Sequence, residues 1–189
     1  MGGEPALVAV RHDGRQAFIA DRRDRSLAAL DLPAGRLIAR LPLNTRPEAL
    51  GFKPDGGELF VSGGDSGTVL IVSAYRDEVD QPLLVGLEPR DLAFSADNRM
   101  LYVANSGANT VSAVDIEQRR TLAAVPVGDE PHRVALTPDH QYVLVLNRRS
   151  GDLAVIRRRT VEGAREPIRP LFTMLPVGAD PVDLVVQAR

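Results

Sequence analysis

The chain has no cysteine and no tryptophan, and its 189 residues include only five phenylalanines and three tyrosines. Without cysteine, structural disulfides, thiolate catalysis and cysteine-ligated zinc are excluded together, while the redox compartment stays open. An excess of one charge is missing too: 23 Lys+Arg against 25 Asp+Glu leave a formal net charge of −2. That balance excludes a polybasic nucleic-acid binder whose affinity rests on neutralising phosphates. No apolar run approaches the roughly 20 residues of a membrane helix. Met1-Gly-Gly-Glu-Pro5 shows no basic region followed by an apolar one, so no signal peptide is in view. What is present is 44% hydrophobic and 25% charged residues, the balance of a folded rather than a disordered chain. The length suits one domain, which would bury about 70% of its unfolded surface.

The chain is built on a repeat. A prolyl frame recurs at Pro5, Pro47, Pro89, Pro131 and Pro181, with three spacings of 42 and a last of 50. An apolar triplet follows each proline: Val8-Ala-Val10, Leu50-Gly-Phe52, Leu92-Ala-Phe94, Val134-Ala-Leu136 and Leu184-Val-Val186. Eight residues after four of the prolines stands an aspartate, at Asp13, Asp55, Asp97 and Asp139, and next comes Gly14, Gly56, Asn98 or His140. Those types suit positive φ in a tight turn, and they place His12 and His140 as turn residues. Further apolar runs centre on Phe18, Phe60, Tyr102 and Leu144, begin at Leu27, Val69, Val111 and Leu153, and recur as Leu37-Ile-Ala and Leu122-Ala-Ala-Val125.

Each unit therefore reads as four short strands. The runs are too short for helices and are bounded by Gly, Asp, Asn and Pro. They are apolar on both faces, as in Leu153-Ala-Val-Ile156, so both sides of each sheet need a cover. Four-stranded units of roughly 40 to 45 residues stacked around an axis make a β-propeller, with a β-solenoid as the competing architecture. The expectation is an all-β, single-domain propeller with units over residues 5–46, 47–88, 89–130 and 131–180, and 181–189 opening a further one. Ala9, Gly51, Ala93 and Ala135 fit the innermost strand, where blades crowd the axis.

Tyr102-Val-Ala-Asn105, Ser106-Gly-Ala-Asn-Thr-Val111, Val125-Pro-Val-Gly128 and Pro131-His-Arg-Val-Ala-Leu-Thr-Pro-Asp139 resemble the YVTN repeat of bacterial and archaeal β-propellers. The match is close in the third unit and diluted elsewhere. It departs at Phe60-Val-Ser-Gly63, at Leu144-Val-Leu-Asn147 and in the insertion Thr160–Pro170. The resemblance implies a propeller, usually seven-bladed and often exported to the periplasm or outside the cell. It also places the chain near lactonase-type propellers and the d-type-haem domain of nitrite reductases. Four units and one strand then read as part of a longer ring, completed by missing blades or by self-association.

Function has to come from the site rather than the fold. The strand order puts the prolyl loops and the second-to-third-strand loops on one face, ringing the mouth of the central channel. There the repeats stop agreeing, and Glu48, Arg90, Asp91, His132, Arg133 and Asp183 form a candidate polar rim for a small anionic or mixed-charge ligand, or for a protein partner. The basic clusters Arg22-Arg23, Arg148-Arg149 and Arg157-Arg158-Arg159 read as solvated loop charges. No Gly-x-Ser-x-Gly elbow or triad spacing is present, and Gly63-Gly-Asp-Ser-Gly67 lacks the lysine of a phosphate loop. No cofactor is expected: His132 is the one candidate for a haem axial ligand, and a divalent metal would need several converging ligands. The leading expectation is a non-catalytic binding scaffold. A lactonase-like or haem-propeller enzyme domain and a surface-layer or adhesion module are the alternatives.

Overall fold

The computed structural model describes residues 3–161 and 170–187, so most of the insertion (162–169) lies outside the described residues. Its first blade is an antiparallel sheet of β1 (Pro5–Val10), β2 (Gln16–Asp21), β3 (Ser26–Asp31) and β4 (Arg36–Pro42) in chain order. The third blade repeats it as β10 (Pro89–Phe94), β11 (Met100–Asn105), β12 (Thr110–Asp115) and β13 (Arg120–Pro126). The fourth has β14 (Pro131–Leu136), β15 (Tyr142–Asn147), β16 (Asp152–Arg157) and β17 (Leu171–Pro176). The second blade has β5 (Pro47–Phe52), β6 (Glu58–Gly63) and β7 (Thr68–Ser73), but its outermost strand is split into β8 (Glu78–Val79) and β9 (Leu83–Leu84). Pro82 falls in the split. It has no N–H to give to a ladder, and an outer edge is where a sheet tolerates that loss.

The turn chemistry of the repeat appears four times. Asp13, Asp55, Asp97 and Asp139 each accept the backbone N–H two residues on, from Arg15, Gly57, Arg99 and Gln141, at 2.9–3.1 Å. The residue between them takes positive φ: Gly14 68°, Gly56 74°, Asn98 61° and His140 56°. A carboxylate that bonds its own backbone across the bend fixes the hairpin between first and second strands, which explains the invariant aspartate slot. At the other end, the residue following each second strand donates to the carbonyl before the frame proline: Arg22 to Glu4, Gly64 to Arg46, Ser106 to Glu88 and Arg148 to Glu130. Prolyl and second-to-third-strand loops thus share one face.

The core lies between blades, not within them. Phe18, Ala20, Leu27 and Ala29 of blade 1 meet Leu59, Val61, Leu70 and Val72 of blade 2. Phe60, Val69 and Ile71, on the other face of blade 2, meet Leu101, Val103 and Val114 of blade 3. Tyr102, Val111 and Ala113 then meet Val143, Val145, Ala154 and Ile156 of blade 4. Strand alternation makes this possible, because neighbouring side chains point to opposite sheet faces. The innermost strands β1, β5, β10 and β14 neighbour one another in turn. Residues 181–187, where the repeat predicts a further innermost strand, form no strand. Such a strand is paired by the second strand of its own blade, and no described segment supplies one.

Gly51 marks a close approach between neighbouring inner strands. A Cβ there would sit 2.7 Å from Phe94 Cε2, and the Phe94 ring is already held edge-on to Phe60 at 5.2 Å. Blade 4 has Leu136 in the Phe94 slot, facing Ala93 rather than glycine. Gly51→Ala is expected to destabilise the fold by about 1–3 kcal/mol through overpacking. Adding Phe94→Leu should recover part of that loss in urea denaturation. An unchanged midpoint for the single variant, or no recovery in the double, contradicts this account of the slot.

Candidate ligand-binding face

Each innermost strand begins with a bulge that decides which side chains reach the prolyl-loop face. Pro5 pairs with Asp21 and Leu7 with Ala20, so Ala6 is skipped; Glu48, Arg90 and His132 are skipped in the same way. A bulge leaves one residue outside the ladder and re-aims it. The divergent residues after each proline are therefore presented as a set. The structure divides the six candidate residues into two groups.

The first group gathers around Glu48, whose side chain keeps only 6% exposure. Arg22 of blade 1 and Arg90 of blade 3 each bring an Nη to 3.2 Å from its Oε2, while Arg46 Nε lies 3.0 Å from Oε1. One buried carboxylate thus joins three successive blades, a stronger arrangement than an isolated surface pair. Arg22 also donates to the Pro47 carbonyl at 3.4 Å, so it is a structural cation rather than a solvated one. Gly64 makes room for the group, since a Cβ there would run into Glu48 Cγ. A cleft of about 500 Å³ opens beside the cluster, bordered by Arg46, Arg90, Glu88, Leu87 and Gly107.

The second group lies at blade 4. Asp91 Oδ2 accepts the Val134 N–H at 2.9 Å, clasping β10 to β14. Burial raises its pKa, and the Val134 and Leu92 amides, Arg133 and His132 oppose that rise without cancelling it. Arg133 Nε lies 3.2 Å from Asp183, whose pKa is lowered by the Leu184 N–H and then by Arg133. His132 Nε2 lies 3.1 Å from the Val182 carbonyl and so acts as the donor. Its Nδ1 is buried and has no partner among the described residues. The other basic clusters are occupied as well: Arg148 by Asp180, Arg149 by Glu130, Arg158 by Asp97, and Arg157 by the face of Phe172.

Arg46 is the member of the Glu48 cluster that the repeat arithmetic passed over, although a signal was present. The position before the frame proline is acidic in the other units (Glu4, Glu88, Glu130, Asp180) and basic only here. The backbone changes with it. Glu88, Glu130 and Asp180 take φ of 50–57°, whereas the loop before Pro47 places its left-handed residue at Asn44, φ 56°.

Residues 86–171 match the family model described as lactonase, 7-bladed beta-propeller. The fold is a β-propeller, and over that segment, under half of the chain, it resembles the lactonase type. Hydrazine synthase of Kuenenia stuttgartiensis is similar, with a TM-score of 0.81 and 21% identity over 92% of this chain and 49% of that one. A functionally unknown protein from Desulfotomaculum acetoxidans DSM 771 is also similar, with a TM-score of 0.68 and 17% identity over 83% of this chain and 52% of that one. These identities speak for the fold alone, and this chain spans about half the length of each. No curated protein matches.

The Asp91 clasp makes a pH prediction. A carboxyl whose pKa is raised by folding binds protons more tightly in the native state than in the unfolded one. Its stabilising contribution is complete below the ordinary carboxylate value of about 3.9 and is lost as pH rises through the raised native value. Asp91→Asn keeps an acceptor for Val134 and removes the titration. Urea midpoints of the wild type should therefore fall more from about pH 4 towards neutrality than those of the variant. Parallel profiles would refute the raised Asp91 pKa. Asp13 and Asp97, held at about 2 by Arg11 and by Ser95, Arg158 and the Arg99 amide respectively, act in a separate window below it.

Proposed function

We propose that this lactonase-type propeller is a non-catalytic binding scaffold that takes a small organic anion on its prolyl-loop face. The observation that carries this reading is the Glu48 cluster, where one buried carboxylate meets three guanidinium groups. Arginine forks suit carboxylates and related anions. The carboxylates of the face are already engaged: Glu48 by arginines, Asp91 by backbone amides, and Asp183 by Arg133 and Leu184. Their oxygens are committed to protein partners, while guanidinium donors remain for a ligand. The family resemblance supports work outside the cytoplasm. Further blades or a second copy would cover the apolar faces of the end blades, where Ile19, Leu30, Leu144 and Leu153 point away from the other blades.

A lactonase-like enzyme is the second reading, favoured by one feature besides the family model. His132 Nδ1 is buried with no partner among the described residues, and Arg133 donates to the His132 backbone carbonyl at 3.4 Å, so a candidate base and a cation stand on neighbouring residues. Lactone turnover with and without divalent metal ions separates the two. The scaffold reading expects hydrolysis no faster than buffer and saturable, salt-sensitive binding of organic anions. Hydrolysis that disappears in His132→Gln would replace it with the enzyme reading.

A further inference from the structure

We propose that the cleft between blades 2 and 3, off the propeller axis, is a site for a small monocarboxylate bearing a short apolar group, held by Arg46 and Arg90 with Leu87 beside it. The proposal rests on the binding reading and gives it a place and a ligand class. Three features lead to it.

The first is the supply of donors. Arg46 Nε pairs with Glu48 Oε1, and among the described residues no hydrogen bond reaches its two terminal nitrogens on the rim of the cleft. Arg90 spends Nη1 on Glu48, and its Nη2 reaches Glu88 only at 3.6 Å, beyond hydrogen-bond range. Glu48 itself is sunk beneath the two arginines. It fixes their orientation without filling the space above them.

The second is charge. Arg22, Arg46 and Arg90 face Glu48 and Glu88, so three positive charges meet two negative ones and one remains. The remaining acid on the cleft wall, Asp65, is already taken by Arg25 at 2.9 Å, by the Thr45 hydroxyl at 2.6 Å and by the Arg46 N–H at 2.9 Å. A single carboxylate balances the cluster. A phosphate dianion would overfill it and lie close to Glu88.

The third is shape. The volume of about 500 Å³ falls within the range of small-molecule sites. Leu87 is 66% exposed at its edge, a ready contact for an alkyl chain. Gly67 and Gly107 leave the facing wall as bare backbone. A side chain at Gly107 would press on Leu87 and Glu88, and one at Gly67 would need positive φ.

Calorimetric or NMR titration with sodium hexanoate tests the site, with acetate, hexylammonium and inorganic phosphate as comparisons. Hexanoate is expected to bind saturably, more tightly than acetate, and hexylammonium and phosphate more weakly still. Arg46→Gln and Arg90→Gln should each weaken hexanoate roughly tenfold, the scale of one charge-assisted contact. Leu87→Ser should bring hexanoate down to the acetate level. Arg133→Gln, in the other group, should leave its affinity unchanged. Circular dichroism and urea midpoints establish that each variant is folded, and exposed Arg46 and Leu87 carry the test if Arg90→Gln is not. Hexanoate binding that ignores Arg46→Gln but falls with Arg133→Gln overturns the cleft while the scaffold reading survives. Absence of saturable hexanoate binding, or displacement of hexanoate by stoichiometric phosphate, overturns the ligand class.

Discussion

Each blade of this protein is apolar on both faces, and the fold follows from the need to cover them. A single four-stranded sheet cannot bury Phe60 and Val61, which are adjacent in β6 and point in opposite directions. Val61 is covered by blade 1, and Phe60 by Phe94 and the centre of blade 3. Stacking is thus a condition for blade stability, and burying a side chain as large as Phe60 contributes on the order of 2–3 kcal/mol. Because both sheet faces are committed to packing, polar groups free to meet a ligand are confined to the strand ends and the loops that join them.

The bulge at the start of each inner strand resolves the conflict between packing and presentation. A regular strand would turn the residue after the proline into a ladder, with its side chain committed to one interblade face. Skipping it leaves Glu48, Arg90 and His132 outside the register while the next residues resume the apolar alternation. The repeat can then vary at that position without disturbing the core. Residues one place further on are freer to serve structure, as Asp91 does by bonding the Val134 amide of the next blade.

The architecture was legible because its determinants are local and recur. Proline, aspartate and a residue tolerant of positive φ stand at fixed offsets, and the geometry confirms them as turn chemistry at Asp13–Gly14, Asp55–Gly56, Asp97–Asn98 and Asp139–His140. The split between β8 and β9 is harder to read, since Val79, Leu83 and Leu84 look like a strand until Pro82 is placed in its ladder. The candidate site was half legible. Divergence after the frame proline points to Glu48 and Arg90, but their union with Arg22 and Arg46 depends on three blades converging. Loop spacing alone made Arg22 look solvated, although it closes on a carboxylate 26 residues away.

The second unit also shows how a departure from the repeat builds a site. In blades 3 and 4 the second strand ends on a buried asparagine. Asn105 donates to Ser112 at 2.9 Å and Asn147 to Asp152 at 2.7 Å, and Gly86 and Gly128 press against them with no room for a Cβ. Blade 2 has Gly63 in that slot. The vacated space is filled by Thr45 and Ser66, whose side chains would collide with any Cβ at Gly63. Thr45 then donates to Asp65 at 2.6 Å, and Asp65 accepts the Arg46 N–H at 2.9 Å. Arg46 is held by its backbone where a guanidinium can reach Glu48. Losing one asparagine therefore propagates through a hydroxyl and a carboxylate to the placement of an arginine on the prolyl-loop face. The departure of blade 2 from the repeat and the arginine cluster around Glu48 thus have a common cause.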